Sequence, residues 1–582
     1  MTPKTLLLFF PIIFYINFTH ASILNDIYQD IIDKTDTSHQ QEGITYNLTQ
    51  HNLLKPDFLI QFPGKEVWGI KAETYPGYNF NRSLDNNFGL PHCNSQSQCI
   101  TNSSCSHLQA FYNGLADKNT KMCNGYADQK LDRLYTAINS AQHFIDITTL
   151  ESLPDLKFRS TIRNALTVLA TTGRKITVRI LDGLYEPIPT VQVEHEQIAA
   201  SYLPNSYTTQ AFLKDLIKDI KKIPSSNLDI YVAGMRTCSG ICRQSATSQA
   251  KGYIGYMSLS WNHSKIINID GNRIITGGVN MFSTNYLMKR PVFDLMMELQ
   301  GPTANKTLGF TNLLWDFVKH NIHNPFHVIE YSAKKANQYK IIKSDLPENL
   351  KATNTPLGNT EVLAVGKTGK GLYYPESAQE NNTSDYALYD LLSKAQHTIY
   401  LAQQSIKASL NTWPLNTTNQ KHSNFISALA KLLMNKGSIY LVTSPYDTPI
   451  PMALGYASLA TSQEAWDKIK SEALAMYPNT QEAKINQLLC KNLHIATIRF
   501  NGTDTTWPNN KKIYDHYKFM MVDDQLFYIG SQNFYPSGLQ NYGYIIDDTQ
   551  AAATIKQEFW NNLWKYSSKS EYTPKQCKTS HA

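Results

Sequence analysis

The sequence predicts an α/β protein made of two similar halves, and three observations carry that expectation. Helical stripes alternate with short alternating strands along most of the chain, the pattern of sheets covered by helices. A helix-then-strand segment near residue 141 recurs near residue 395. A longer pattern, His-x-Lys-x4-Asp followed by Gly-[Gly/Ser]-x-Asn, occurs twice at a constant offset of 253 residues. The composition agrees: 42% hydrophobic and 17% charged residues, with 28 Gly and 25 Pro, exclude collagen-like, coiled-coil and wholly disordered chains.

The elements follow in chain order. Residues 1–21 read as a secretory signal peptide. Lys4 precedes the apolar run Leu6 to Ile16, and the small residue Ala21 stands before Ser22. The run is too short to span a bilayer. Removing this segment takes away Lys4 and no acid, so the formal charge of +7 falls to +6. Mild basicity suits an anionic partner, although no polybasic run or Arg-rich stripe accompanies it.

The first half spans 22–332 and contains a Cys-rich insertion, 91–124, that reads as a disulfide-stapled loop. Its cysteines are Cys93, Cys99, Cys105 and Cys123, whose spacing does not match common structural zinc sites. Cys238, Cys242, Cys490 and Cys577 complete an even set of eight, of a connectivity that sequence leaves open.

Leu134, Tyr135, Ile138 and Ala141 form a helical stripe running into a strand that carries Ile145 and Ile147. Leu388, Tyr389, Leu392 and Ala395 repeat the stripe, with Ile399 and Leu401 in the following strand. A second helix and strand follow in each half, at Thr161 to Thr172 with Lys175 to Leu181, and at Asn424 to Asn435 with Ser438 to Thr443. Residues 333–359 are polar and aperiodic and read as a linker, and 360–582 form the second half.

The chemistry sits in WNHSKIINIDGNRIITGGVN and YDHYKFMMVDDQLFYIGSQN. These pair His263 with His516, Lys265 with Lys518, Asp270 with Asp523, Gly277 with Gly530 and Asn280 with Asn533. Gly278 and Ser531 fill the second position of each small pair. Residues two apart on a strand share a face, so each His and Lys point the same way. Asp270 and Asp523 have the opposite parity and open a turn, which makes them structural supports of the hairpin. One His, one Lys and one Asn form half of a phosphate site. Two halves facing each other across a pseudo-twofold axis complete it. A pair of histidines can then supply a nucleophile on one side of phosphorus and a proton donor on the other. The lysines and asparagines would hold the charge on the non-bridging oxygens. No metal or other cofactor is needed by this scheme, and the motif holds no carboxylate-rich cluster. His107, His143 and His397 read as ordinary structural histidines.

At these residues the chain resembles two-motif members of the phospholipase D (HKD) superfamily. WNHSKIINIDGNRIITGGVN and MVDDQLFYIGSQNFYPSGLQNYGYIIDD are most similar to bacterial phospholipases D of the murine-toxin type. The resemblance implies two α/β halves, each a mixed sheet flanked by helices, meeting at one active site. It implies a phosphohistidine intermediate, with His263 as nucleophile and His516 as general acid/base, and transfer to an alcohol as an alternative to hydrolysis. Members usually place an acid beyond the Gly-x-x-Asn turn, where it orients the His of the opposite motif. Asp294 is that candidate in the first half. In the second half Asn541 stands where an acid is expected, and equal spacing nominates Asp547, 14 residues past Asn533 as Asp294 is past Asn280. The expected activity is an exported, secreted or periplasmic phospholipase D acting on phospholipid at a membrane surface. The 34 Tyr and 8 Trp would suit that surface. An exported nuclease or other phosphodiesterase acting on nucleic acid is the alternative.

Overall fold

A computed structural model describes residues 22–35, 41–74, 92–93, 104–112, 115–124, 129–150, 153–154, 156–183, 205–238, 259–287, 291–320, 328–334, 339–342, 346, 348–353, 355–369, 371–372, 382–406, 420–447, 456–508, 510–534 and 537–578. Residues 1–21, the expected signal peptide, lie outside the described residues.

Two mixed sheets pack face to face. The first runs, strand by strand, through Tyr339–Ile342, Val328–Ser332, Leu228–Cys238, Ile176–Gly183, Phe144–Leu150, Ile266–Ile269, Arg273–Gly277, Asp294–Gln300 and Leu59–Phe62. The second runs through Tyr46–Asn52, Thr360–Lys367, Asn541–Asp547, Leu526–Gly530, Lys518–Val522, Thr398–Gln403, Ser438–Thr443 and Leu493–Thr497. In each sheet three strands are parallel and are connected through helices, and an antiparallel hairpin carrying the motif follows. The repeat seen in the sequence is therefore a repeat of topology.

The core has three parts. Inward-facing residues of both sheets, such as Ile266, Leu295, Phe519 and Phe527, form one continuous layer between them. Helices Gln129–Asn139 and Leu156–Thr171 cover the outer face of the first sheet through Leu134, Ile138, Ile162 and Leu166. Helices Thr383–Ser393 and Gln420–Met434 cover the second through Leu388, Leu391, Leu429 and Leu433. The expected stripes are thus the buried faces, because apolar residues at helical spacing reach the sheet together. Among the described residues no helix is long and apolar enough to cross a membrane.

Three expectations about organisation are corrected. The segment 22–52 does not join the first half as expected: Tyr46–Asn52 pairs antiparallel with Thr360–Lys367 of the second sheet. Helix Ile23–Lys34 packs Leu24, Ile27 and Ile31 into the second half's outer core. The open edge of Thr360–Lys367 needs a partner, and strand periodicity does not specify which edge a strand joins. The linker 333–359 contains a strand, Tyr339–Ile342, on the edge of the first sheet. Its lysines hid it, and an edge strand tolerates them. The insertion 91–124 is not a plain loop: His92–Cys93, Ser104–Tyr112 and Leu115–Asn124 form a small antiparallel sheet, with Cys105 opposite Cys123. The side chains of Cys93, Cys99, Cys105 and Cys123 lie outside the described residues. Cys490 and Cys577 form a disulfide that ties the C-terminal helix Lys575–Lys578 to helix Glu482–Asn492.

Candidate active site

Each motif is built by the same local devices. The ammonium of Lys265 donates to the carbonyl of His263 at 2.6 Å, and that of Lys518 donates to the carbonyl of His516. Each Lys therefore lies beside its own His, on the shared face that strand parity requires. The Asp270 carboxylate accepts the backbone N–H groups of Gln142, His143 and Phe144 at 2.7, 2.8 and 2.8 Å. Asp523 does the same for Gln396, His397 and Thr398 at 2.8, 2.8 and 2.7 Å. Both aspartates take positive φ, 53° and 52°, as the turn demands. They clamp the hairpin to the start of the neighbouring strand. This contact also gives His143 and His397 their place: they sit at helix-to-strand junctions through their backbones.

The two motifs meet across the molecule. The His263 backbone N–H donates to the carbonyl of Gln540 at 2.8 Å, and that of His516 donates to the carbonyl of Phe293 at 2.7 Å. Each motif is thus clipped to the residue just before the opposite half's partner position. The imidazole rings face one another with centroids 6.5 Å apart and planes at 81°.

The partners of the two rings differ. Nδ1 of His516 lies 3.0 Å from Oδ2 of Asp294 and 3.0 Å from the Tyr286 hydroxyl, which itself donates to Asp294 at 3.1 Å. Nδ1 of His263 lies 2.9 Å from Oδ1 of Asn541. That oxygen also accepts from Ser531 Oγ at 3.0 Å, and the Asn541 amide nitrogen donates to the Leu539 carbonyl at 3.2 Å. These contacts fix the amide orientation. Because an amide oxygen only accepts, the proton of neutral His263 sits on Nδ1 and the lone pair on Nε2.

Asp294 and Asn541 are structural equivalents. Gly277 pairs with Met296, two residues past Asp294, and Gly530 pairs with Gly543, two residues past Asn541. The nomination of Asp547 is therefore wrong. It lies at the far end of its strand, paired with Glu361 and bonded to Gln525 at 3.0 Å. Equal residue counts misled because the connections between the Asn turn and the strand differ in length.

The small residues make room. Gly277 has φ 153°, and a Cβ there would lie 2.3 Å from the Leu295 carbonyl oxygen. A Cβ on Gly278 would lie 2.2 Å from Oδ1 of Asp294. At Gly530 a Cβ would meet the Tyr528 hydroxyl at 2.2 Å. Asn280 and Asn533 are buried beyond these turns. Asn280 bonds the hydroxyl of Tyr456, whose ring packs edge-on to His516 with centroids 5.0 Å apart.

The electrostatics follow from burial. Both histidines are pushed well below the ordinary imidazole range by desolvation, and then by the charges of Lys265 and Lys518. Desolvation pushes Lys265 well down, aided by repulsion from Lys518. Lys518 is lowered by burial to about 7, against attraction to Asp294 and Asp515. Burial raises the Asp294 carboxyl to about 7. Two buried lysines beside two histidines create a strong demand for an anion. Among the described residues no group of three or more His, Cys, Asp or Glu is placed to hold a metal ion.

Sequence reasoning missed Tyr286 and Tyr456 and assigned Asn541 no role. Neither tyrosine lies in the motif. Asn541 reaches His263 through the register of Gly543 against Gly530, which the sequence does not display.

Residues 388–564 match the family described as "Cardiolipin synthase, PLD-like domain". The phospholipase D of Streptomyces antibioticus is 27% identical over 477 residues, which is 77% of this chain and 78% of that protein. Two solved structures give looser superpositions. Phosphatidylserine synthase of Haemophilus influenzae Rd KW20 has a TM-score of 0.43 at 12% identity, covering 77% of this chain and 86% of that one. Nuc of Salmonella typhimurium, a phospholipase D family member, has a TM-score of 0.22 at 14% identity, covering 36% of this chain and 99% of that one. The second half thus carries a phospholipase D-like domain, and most of the chain is similar to a bacterial phospholipase D.

Proposed function

We propose that this protein is an exported phospholipase D that cleaves the headgroup phosphodiester of glycerophospholipids through a phosphohistidine, without a metal ion. The observation that carries the reading is the pair of facing histidines, each beside a lysine, with ring centroids 6.5 Å apart. That gap suits a phosphorus atom with reacting atoms at about 3–3.5 Å on the attacking side.

The unequal partners support a division of roles. His263 has its lone pair on Nε2 and a neutral partner, so it attacks phosphorus. His516 has the carboxyl of Asp294 at Nδ1, a partner that opposes the desolvation and lysine charges disfavouring its imidazolium and so lets the ring carry a proton to give up from Nε2. As the Nε2–P bond forms, the bond from phosphorus to the headgroup oxygen breaks, and that oxygen takes the proton from His516. Water then attacks phosphorus and gives its proton to His516, and the Nε2–P bond breaks. An alcohol in place of water gives headgroup exchange. Lys265 and Lys518 would hold the non-bridging oxygens, taking the part a cation plays elsewhere.

The lipid assignment is supported by the length over which the chain matches a protein named phospholipase D. Export is supported by the sequence of residues 1–21. The test is to incubate purified protein with headgroup-labelled phosphatidylcholine vesicles and with single-stranded DNA, each with and without EDTA. Choline release that persists in EDTA is expected. Nucleotide release alone would replace the lipid reading with the nuclease one, and activity lost to EDTA and restored by a divalent ion would overturn the metal-free step.

A further inference from the structure

The two halves place different groups at equivalent positions, Asp294 against His516 and Asn541 against His263, and the second has a chemical consequence. This inference rests on the reading of His263 as the nucleophile. When Nε2 of His263 bonds to phosphorus, Nδ1 keeps its hydrogen and the ring carries a positive charge. A carboxylate at Nδ1 would stabilise that charge and draw the Nδ1 proton toward itself, which makes the ring a better nucleophile and a poorer leaving group. The amide oxygen of Asn541 supplies one neutral hydrogen bond, which favours the charged ring far less than a carboxylate would. It is held there by Ser531 and by the Leu539 carbonyl, so no rotation of the amide presents another atom.

We propose that Asn541 is a positioning residue that keeps the phosphohistidine short-lived. It selects the attacking tautomer of His263 while leaving the covalent intermediate weakly stabilised. Formation of the Nε2–P bond is then the slow step, and its breakage by water or alcohol is fast. The charges facing His263 reinforce this, since Lys265 and Lys518 both disfavour a cationic ring.

The experiment uses the full-length protein, a p-nitrophenyl phosphodiester and rapid acid-free quenching, with peptide mapping of the phosphorylated histidine. Asn541→Asp is nearly isosteric. It is expected to show a burst of nitrophenol, to accumulate phosphate on His263, and to break the covalent bond more slowly, on the order of tenfold. Asn541→Ala should slow formation through loss of the tautomer contact without lengthening the life of the intermediate, which separates charge from simple disturbance of the site. Breakdown in Asn541→Asp as fast as in the unaltered protein would overturn the proposal while leaving His263 as the nucleophile. Phosphate found on His516 would instead overturn the role assignment, and this inference with it.

Discussion

The two halves share a row of strand positions filled with opposite chemistry. In the first, Asp146 and Arg179 face each other on adjacent parallel strands and form a buried ion pair at 2.6 Å. Thr311 donates to Asp146 at 2.7 Å, and the Arg179 guanidinium lies 5.3 Å from the Trp315 ring. In the second, the same two positions are Tyr400 and Tyr440, stacked with centroids 5.7 Å apart. There Trp560 and Trp564 close over them from the helical run through residues 549–567. One floor is ionic and the other aromatic, yet the hairpins above them carry matching His and Lys. Topology conserves the site, and the floor needs only to be filled and satisfied. The same holds at the rim, where Asp294 and Asn541 are equivalent in place and unequal in charge.

The largest expected effect breaks the apparent symmetry of the two histidines. Replacing either His263 or His516 by Ala should lower turnover on phosphatidylcholine by on the order of 10⁴-fold or more, without additivity in the double variant. A nitrophenyl diester separates them, because its leaving group needs little protonation. His516→Ala should still form a covalent phosphoenzyme, and His263→Ala should form none. Equal trapping in both variants would show that the histidines are interchangeable.

A second test concerns the floors. Arg179→Met leaves Asp146 buried without its partner and should cost about 3–5 kcal/mol in urea unfolding. Replacing both residues, Asp146→Leu with Arg179→Met, should recover most of that loss by turning the ionic floor into an apolar one. If the single and double variants are equally unstable, the first half depends on the ion pair in a way that the second does not.

The smallest effect is in pH dependence. Lys518 is held by burial at about 7 in the free protein. Its proton, needed to attract the diester anion, is present below that pH and lost above it. The value of kcat/KM, which reports the free enzyme, should therefore fall as pH rises through about 7, approaching tenfold per unit. A profile flat to pH 9 would mean that Lys518 stays charged in its buried position.

Much of the site was legible because its chemistry is local. His and Lys lie at the entry to one strand and Asp in the turn that ends it, so spacing reports their neighbourhood and even the clamping role of Asp270. The helical stripes were legible for the same reason, since Leu134 and Ile138 announce a buried face wherever the helix docks. What was hidden depends on pairing between distant segments. Asn541 meets His263 only because the second sheet's register carries it there, and Tyr286 reaches His516 from a four-residue helix in the other half. Residue counting failed at Asp547 because a connection can change length while strand pairing is preserved.

The strand Tyr46–Asn52 gives the chain an unusual timetable. Tyr46 pairs with Val365, so during synthesis this strand waits for its sheet partner until more than 300 further residues have emerged. Contacts that distant are slow to form and leave apolar edges open meanwhile. The second half also cannot complete its sheet from its own sequence. A chain cut between 332 and 360 should yield a first fragment with an orphaned strand and a second fragment with a bare edge, each prone to aggregate alone. Mixed together, the fragments have a built-in reason to find one another.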